Sequence, residues 1–411
     1  MTANNKNIDK QGKKLLNVPN LRFPEFEEEW EETTIGDCCY SLEYGMNAPA
    51  KEYDGKNKYI RITDIDEETL TYKQNDIVSP NGKLEDKYLV KENDILWART
   101  GASTGKAYLY DSNDGLMYYA GFLIRGNVKP SINSRFVFLQ TQTLKYKKWV
   151  DIMSIRSGQP GINSQEYSSY KFLLPPLKIE QDKISSLFAL LDNRIATQNR
   201  IIEKYESLIY GLLDSIVAYP KDNKKYKLGE LCEIRSGYSG TQNQMCKGLR
   251  VSRIETISNH HINLDKVGYV EPFEKSKTYK LNIGDILFSN INSVEYIGNT
   301  AYIDKDYALY HGMNLLRLIP NKTLVNPFYI YCLLNTQRAK NHFKSVCNKA
   351  VSQASINQTE LSKTPIFIPT ISKQENIARL FDILLRKREI ERNNLTLFQK
   401  QKAYLLKEMF V

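Results

Sequence analysis

The sequence predicts an α+β protein built twice. Two tandem domains, mostly β with some helix, are separated by two long helices that form an antiparallel coiled coil, the whole being pseudo-two-fold. Three observations carry this. Blocks of sequence recur in the same order at a nearly constant offset. Each copy opens with short β-branched runs punctuated by glycine, asparagine and proline. Each copy closes on apolar residues that step by three and four.

The recurrence is plainest between "LPPLKIEQDKISSLFALLD" at 174–192 and "IPTISKQENIARLFDILL" at 368–385. Gln181 and Gln374 stand 193 residues apart, and so do Leu187-Phe188 and Leu380-Phe381. "TTIGDCC" (33–39) matches "YKLGELC" (226–232), which puts Gly36 and Gly229 at the same offset. "LVKENDILWART" (89–100) matches "KLNIGDILFSNI" (280–291) at an offset of 191. "GINSQE" (161–166) matches "SINQTE" (355–360) at 194. Ordered blocks at one offset argue for tandem duplication, and two units are too few for a solenoid.

Taken in order, "KYIRITDI", "NDILWA" and "AGFLIRGNV" are the expected strands of the first copy, and "SRFVFLQTQTLKYKKWV" its helices. The second copy offers "LRVSRIETI", "GDILFSNI" and "MNLLRLIP", then the helical "PFYIYCLLNTQRAKNHF". After Pro175-Pro176 an apolar seam runs through Phe188, Leu191, Ile195, Ile202, Tyr205, Ile209, Leu212 and Ile216, with a gap at Gln198. It sustains about four heptads, and Pro220 stops it. The second seam is less regular and includes Ile377, Phe381, Leu384, Leu395, Phe398 and Leu405. The expected domains are therefore 1–178 and 221–371, with spacer helices at 179–220 and 372–411.

A chain of 411 residues exceeds one ordinary core. No run of eighteen apolar residues suggests a membrane span, and the polar start "MTANNKNIDKQGKKLLN" lacks the apolar centre of a secretory signal. The six cysteines show no CxxC spacing, so reduced structural thiols in a cytoplasmic protein are expected. The net charge of +10 permits an anionic partner without requiring one.

No catalytic constellation stands out, and no cofactor or metal site is expected. "GASTGK" (101–106) has three residues between its glycines where a phosphate loop needs four, and Ala107 follows the lysine. "NPFY" (326–329) resembles the Asn-Pro-Pro-aromatic motif of base-amino methyltransferases, but "NSRF" (133–136) replaces it in the first copy. A helix start with proline in its first turn is the better reading. His260-His261 lacks supporting ligands at metal spacing.

Equivalent polar loops are more informative. The first copy offers Arg61, Thr63, Arg99, Thr100, Ser103, Lys106, Arg156, Ser157 and Gln159 as DNA-binding candidates. The second offers Arg250, Ser252, Arg253, Asn290, Asn292, Lys349, Ser352 and Gln353. These residue types read base edges or grip phosphates. They diverge between copies while their frame persists, which suits two different half-sites; ordinary loop drift is the competing explanation.

In its order of β domain, Pro-led helix with Gln-x-x-Ile, β domain and second such helix, the chain resembles the specificity subunit of type I restriction-modification systems. "LRFPEFEEEWEETTIGD" (21–37) adds to the likeness, which spans about Leu21 to Val411. The resemblance implies that each domain reads half of a bipartite target in double-stranded DNA. It implies that the coiled coil sets the spacer and docks two methyltransferase subunits, and that restriction subunits join for cleavage. S-adenosylmethionine, ATP and magnesium would belong to those partners. The alternative is a self-contained DNA methyltransferase or nuclease, which needs a methyl-donor site or clustered carboxylates.

Overall fold

The computed structural model of the chain describes residues 17–218, 223–243, 247–257, 261–350 and 353–411, the side chains of 216–218 excepted. The chain divides into two compact units. One comprises Met1–Asn199 with Asn393–Val411, the other Arg200–Arg392.

Each unit is built on a four-stranded antiparallel sheet of the same topology. In the first unit the strand order is Cys39–Tyr44, Leu123–Val128, Asp94–Ala98, Ala107–Leu109. In the second it is Cys232–Ser236, Leu316–Pro320, Ile286–Phe288, Thr300–Tyr302. The central strand is buried on both faces. Ile95 and Trp97 join the core containing Phe136 and Phe188, while Leu96 and Ala98 join a separate cluster with Ile60 and Tyr119. Alternate side chains of a strand point to opposite faces. Burial of both therefore explains why "DILWA" is continuously apolar. Ile286 and Phe288 split from Leu287 in the same way.

The repeated Asp-Ile-Leu has a local cause. Asn93 and Gly284 adopt the left-handed conformation, with φ of 68° and 100°, which those residue types tolerate best. The next residue, Asp94 or Asp285, accepts the backbone N–H of Lys91 or Asn282 at 2.7 Å. Asp94 also accepts from Asn127 Nδ2 at 2.6 Å, and Asp285 pairs with Arg317 at 2.6 Å. Burial pushes both carboxyls up in spite of these partners.

In each unit the start of the domain is tied to its end. Strand Glu31–Thr34 pairs antiparallel with Lys171–Leu174, and Lys224–Lys227 with Pro365–Ile368. The short helix after each opening strand rests on the short helix before each closing strand. A Cβ on Gly36 would lie 2.1 Å from Ser168 Oγ, and one on Gly229 would lie 2.9 Å from Ser362 Cβ. Close approach of these helices is why the glycine recurs.

The long helices span Lys178–Ala218 and Ile371–Met409. Within the first unit they run antiparallel. Phe188 meets Phe410 with ring centroids 5.8 Å apart, Asp192 pairs with Lys402 at 2.7 Å, and the Arg194 guanidinium lies 4.2 Å from the Phe398 ring centre. Within the second unit Glu206 pairs with Arg392, and Ile209, Leu213, Phe381 and Leu384 share one core. Gln198, the gap in the first seam, is itself buried. Lys402, on the second long helix, is largely buried against the Asp192 carboxylate. Pro220 lies outside the described residues.

Candidate nucleic-acid interface

The loop that leaves the central strand at Arg99 is joined to the loop preceding Ile162. The Ile162 N–H donates to the Arg99 carbonyl at 2.9 Å, and the Gly101 N–H to the Pro160 carbonyl at 2.9 Å. The second unit repeats this: the Ile356 N–H donates to the Asn290 carbonyl at 2.9 Å. There strand Ile291–Asn292 pairs with Ala354–Ser355, which pairs in turn with Asn348–Lys349. Two loops about 60 residues apart in sequence thus form one polar edge in each unit. The helix starts after them are capped by Asn163 and Asn357, which accept the N–H of Glu166 and Glu360 at 2.9 and 2.8 Å. That is the physical content of the recurring Ile-Asn-x-x-Glu block.

In the first unit this edge borders a cleft of about 730 Å³. Arg61, Thr63, Arg99, Thr100 and Ser103 line it, with Tyr44, Asn47 and Phe122, and no carboxylate is among its lining residues. The Arg99 guanidinium lies 4.8 Å from the Tyr44 ring centre, and its Nη1 donates to the Gly121 carbonyl at 3.4 Å. The Tyr44 hydroxyl oxygen accepts the Ser164 N–H at 3.2 Å and contacts its hydroxyl at 3.3 Å. Those Ser164 contacts hold the phenol below its ordinary range. A larger cavity of about 1360 Å³ in the same unit is lined by seven carboxylates and six cationic side chains. The two charge sets nearly cancel, so a polyanion gains more beside Arg99 in the smaller cleft, where no lining carboxylate opposes it.

The remaining candidates sort by what they touch. Arg61 is held by Asp64 at 2.8 Å and Asp76 at 3.3 Å, and Thr63 is exposed beside it. Lys106 turns to Glu67. Arg156 makes a two-pronged pair with Glu166 at 2.6 and 2.7 Å, while Ser157 and Gln159 are exposed. In the second unit Arg250 donates to the Tyr307 carbonyl at 3.0 Å. Arg253, Lys349 and Gln353 are exposed, Asn290 and Asn292 half-buried. Ser252 departs from the expectation of a DNA-facing hydroxyl. It is fully buried, and its Oγ accepts the Gly312 N–H at 3.0 Å, so it braces backbone. Ser352 and His260 lie outside the described residues.

Sequence reasoning passed over Tyr44, Asn47 and Phe122, all at the cleft. One signal was available: Gly121-Phe122 and Gly312-Met313 stand 191 residues apart, the offset of the Asp-Ile-Leu block. The methyltransferase-like "NPFY" is a helix start, as expected. Asn326 accepts the Tyr329 N–H at 3.0 Å with Pro327 in the first turn, and Asn133 caps its own helix identically through Phe136 at 2.9 Å. The five described cysteines are free and buried. Burial raises the Cys38 thiol to about 11 and that of Cys232 to about 12. Among the described residues no cluster of three or more His, Cys, Asp or Glu is placed to hold a metal, and no helix is long and apolar enough to cross a membrane.

Comparison with known proteins agrees with this architecture. A 200-residue stretch, 46% of this chain and 46% of the relative, is 41% identical to the putative type I restriction enzyme MjaX specificity subunit of Methanocaldococcus jannaschii. A 196-residue stretch, 45% of this chain and 42% of the relative, is 24% identical to the type I restriction enzyme StySPI specificity subunit of Salmonella potsdam. The matched stretches thus span under half the length of these relatives. Among solved structures, the S subunit of a type I restriction-modification system from M. genitalium shares the fold. Its TM-score is 0.61 at 15% identity, over 96% of this chain and 99% of that one. A second, described as a structural basis for assembly and conformational transition of the type I R-M system, has a TM-score of 0.55 at 16% identity, over 92% and 97%. The type I restriction modification DNA specificity domain is matched twice, over residues 27–207 and 220–397, and the chain belongs to that family.

Proposed function

We propose that the chain is the non-catalytic, sequence-specific DNA-binding subunit of a type I restriction-modification complex. Each recognition domain, 1–178 and 221–371, reads one half of a bipartite target. The paired helices set the spacer and dock two methyltransferase subunits, with restriction subunits completing the assembly in the cytoplasm. One observation carries this reading. Both units present a two-loop polar edge from the same scaffold positions, but the side chains differ: Arg99, Thr100 and Ser103 in one, Asn290 and Asn292 in the other. A constant frame with two distinct donor and acceptor sets is what reading two different half-sites requires. The Asn-Pro-aromatic segment that resembled a methyltransferase motif is occupied in capping a helix, which favours assigning methyl transfer to partner subunits.

The test is domain exchange followed by sequencing of methylated sites. Replacing residues 221–370 with the equivalent domain of a relative should change one half-site and leave the other intact. Alteration of both half-sites would defeat independent reading. Within the first face, Arg99→Ala should cost roughly 1–3 kcal/mol and relax one position if the guanidinium reads a base, or weaken all sequences alike if it grips phosphate.

A further inference from the structure

We infer that Phe122 is a wedge, an aromatic side chain that enters between stacked base pairs of the half-site read by the first unit, and that Met313 does the same in the second. The inference rests on the DNA-binding reading above and extends it to a named device.

Phe122 is 63% exposed and Met313 is 40% exposed. A single exposed apolar residue is ordinary. Here one stands at the same turn in both copies, each after a glycine, where the neighbouring side chains have changed from Arg99 to Asn290. The turn is also rigid. The Arg99 N–H donates to the Phe122 carbonyl at 3.0 Å, the Leu123 N–H to Ala120 at 2.8 Å, and the Gly121 N–H to Met46 at 2.8 Å. In the second unit the turn is braced by the buried hydroxyl of Ser252 on the Gly312 N–H. Backbone held on several sides projects a side chain that itself packs against little.

The surroundings select the ligand. Phe122 borders a cleft in which Arg99 meets no carboxylate of the lining, Arg61 is taken up by Asp64 and Asp76, and Met46 and Ile62 stand among small, amide and hydroxylated residues. The Arg99 cation beside an apolar tip suits a duplex whose phosphate is gripped while one step is opened. Phe and Met are both among the side chains that proteins insert between base steps. The half-buried Arg99, with its guanidinium on Tyr44 and on the carbonyl next to Phe122, would hold the strand at the opened step.

The test uses the full chain assembled with its methyltransferase subunits and duplexes carrying the cognate site, with 2-aminopurine placed at each step of the first half-site in turn. Wild type should raise the fluorescence at one step, and Phe122→Ala should abolish that signal and weaken binding roughly tenfold, within the range of stacking losses on alanine substitution. Phe122→Trp should retain both. A mismatch at that step should tighten binding by wild type but not by F122A, which no longer opens the step. Met313→Ala should leave the first half-site signal unchanged. Fluorescence that survives F122A belongs to base extrusion by the methyltransferase subunits. If F122A keeps affinity and signal, or loses affinity although wild type unstacks no step that F122A spares, the wedge is overturned. Failure of wild type to prefer the cognate duplex would instead overturn the DNA-binding reading itself.

Discussion

The side-chain oxygen of Gln181 accepts the backbone N–H of Asn133 at 2.9 Å, and Gln374 makes the same bond to Asn326 at 2.9 Å. Each glutamine also donates to a proline carbonyl, Pro175 at 2.8 Å or Pro369 at 2.9 Å. One side chain thus clips the start of a long helix to the capped start of a domain helix. Both glutamines are almost fully buried. Gln181→Ala and Gln374→Ala each strand a backbone donor and a backbone acceptor that are buried or partly buried. Each should destabilise its own unit by about 2–3 kcal/mol in urea denaturation.

Phe410 completes the core of the first unit. Its ring lies 5.2 Å from Phe136, 5.8 Å from Phe188 and 6.5 Å from Trp30, centre to centre. Phe410→Ala should cost about 3 kcal/mol or more. Trp30 is buried in that cluster, so its fluorescence should report the first unit melting earlier while the second is unchanged.

His311 is 1% exposed, with Nε2 2.9 Å from the Leu315 carbonyl. Burial lowers its pKa from the usual 6.5 to about 4. Between those values the unfolded chain binds a proton that the folded unit refuses, so stability falls as pH falls. The loss should approach roughly 3 kcal/mol by about pH 4. Asp285, raised by burial, titrates in the opposite sense and offsets part of it. The difference between wild type and His311→Asn as a function of pH isolates the histidine. A difference that stays flat from pH 7 to 4 would remove the explanation.

Four residues inserted after Asn199 add about one helical turn, roughly 6 Å of length and about 40° of rotation. That is close to two base pairs of duplex rise. Sites methylated in cells carrying the insertion should keep both half-sites and show a spacer longer by about one or two base pairs, since the paired helix resists. An active variant with the original spacer would leave the helices as a docking surface only.

The architecture was legible because its signals are local and duplicated. Asp-Ile-Leu encodes a left-handed turn feeding a doubly buried strand, and Ile-Asn-x-x-Glu encodes a cap, so each recurs wherever its geometry recurs. The polar edge was visible as a residue class but not as an arrangement. Arg61 and Arg156 look like free cations in the sequence, yet Asp64 and Glu166 take them up. Ser252 looks like a reader and is buried bracing the Gly312 turn. Such pairing depends on side-chain directions that spacing does not carry. Phe122 was overlooked because one apolar residue at a strand start reads as core, and only the turn in front of it turns the ring outward.

Residues 393–411 belong to the first unit, and Leu405, Met409 and Phe410 sit in its main core. During translation these residues emerge after all of the second unit. At roughly 5–20 residues per second, the 193 residues from 200 to 392 take about ten to forty seconds to make. Throughout that interval Trp30, Phe136 and Phe188 lack their closing ring. The first unit is thus completed only after the second has been made, although most of it leaves the ribosome earlier. A transcript broken within residues 200–392 yields no completed first unit, which ties the folding of one unit to the synthesis of the other.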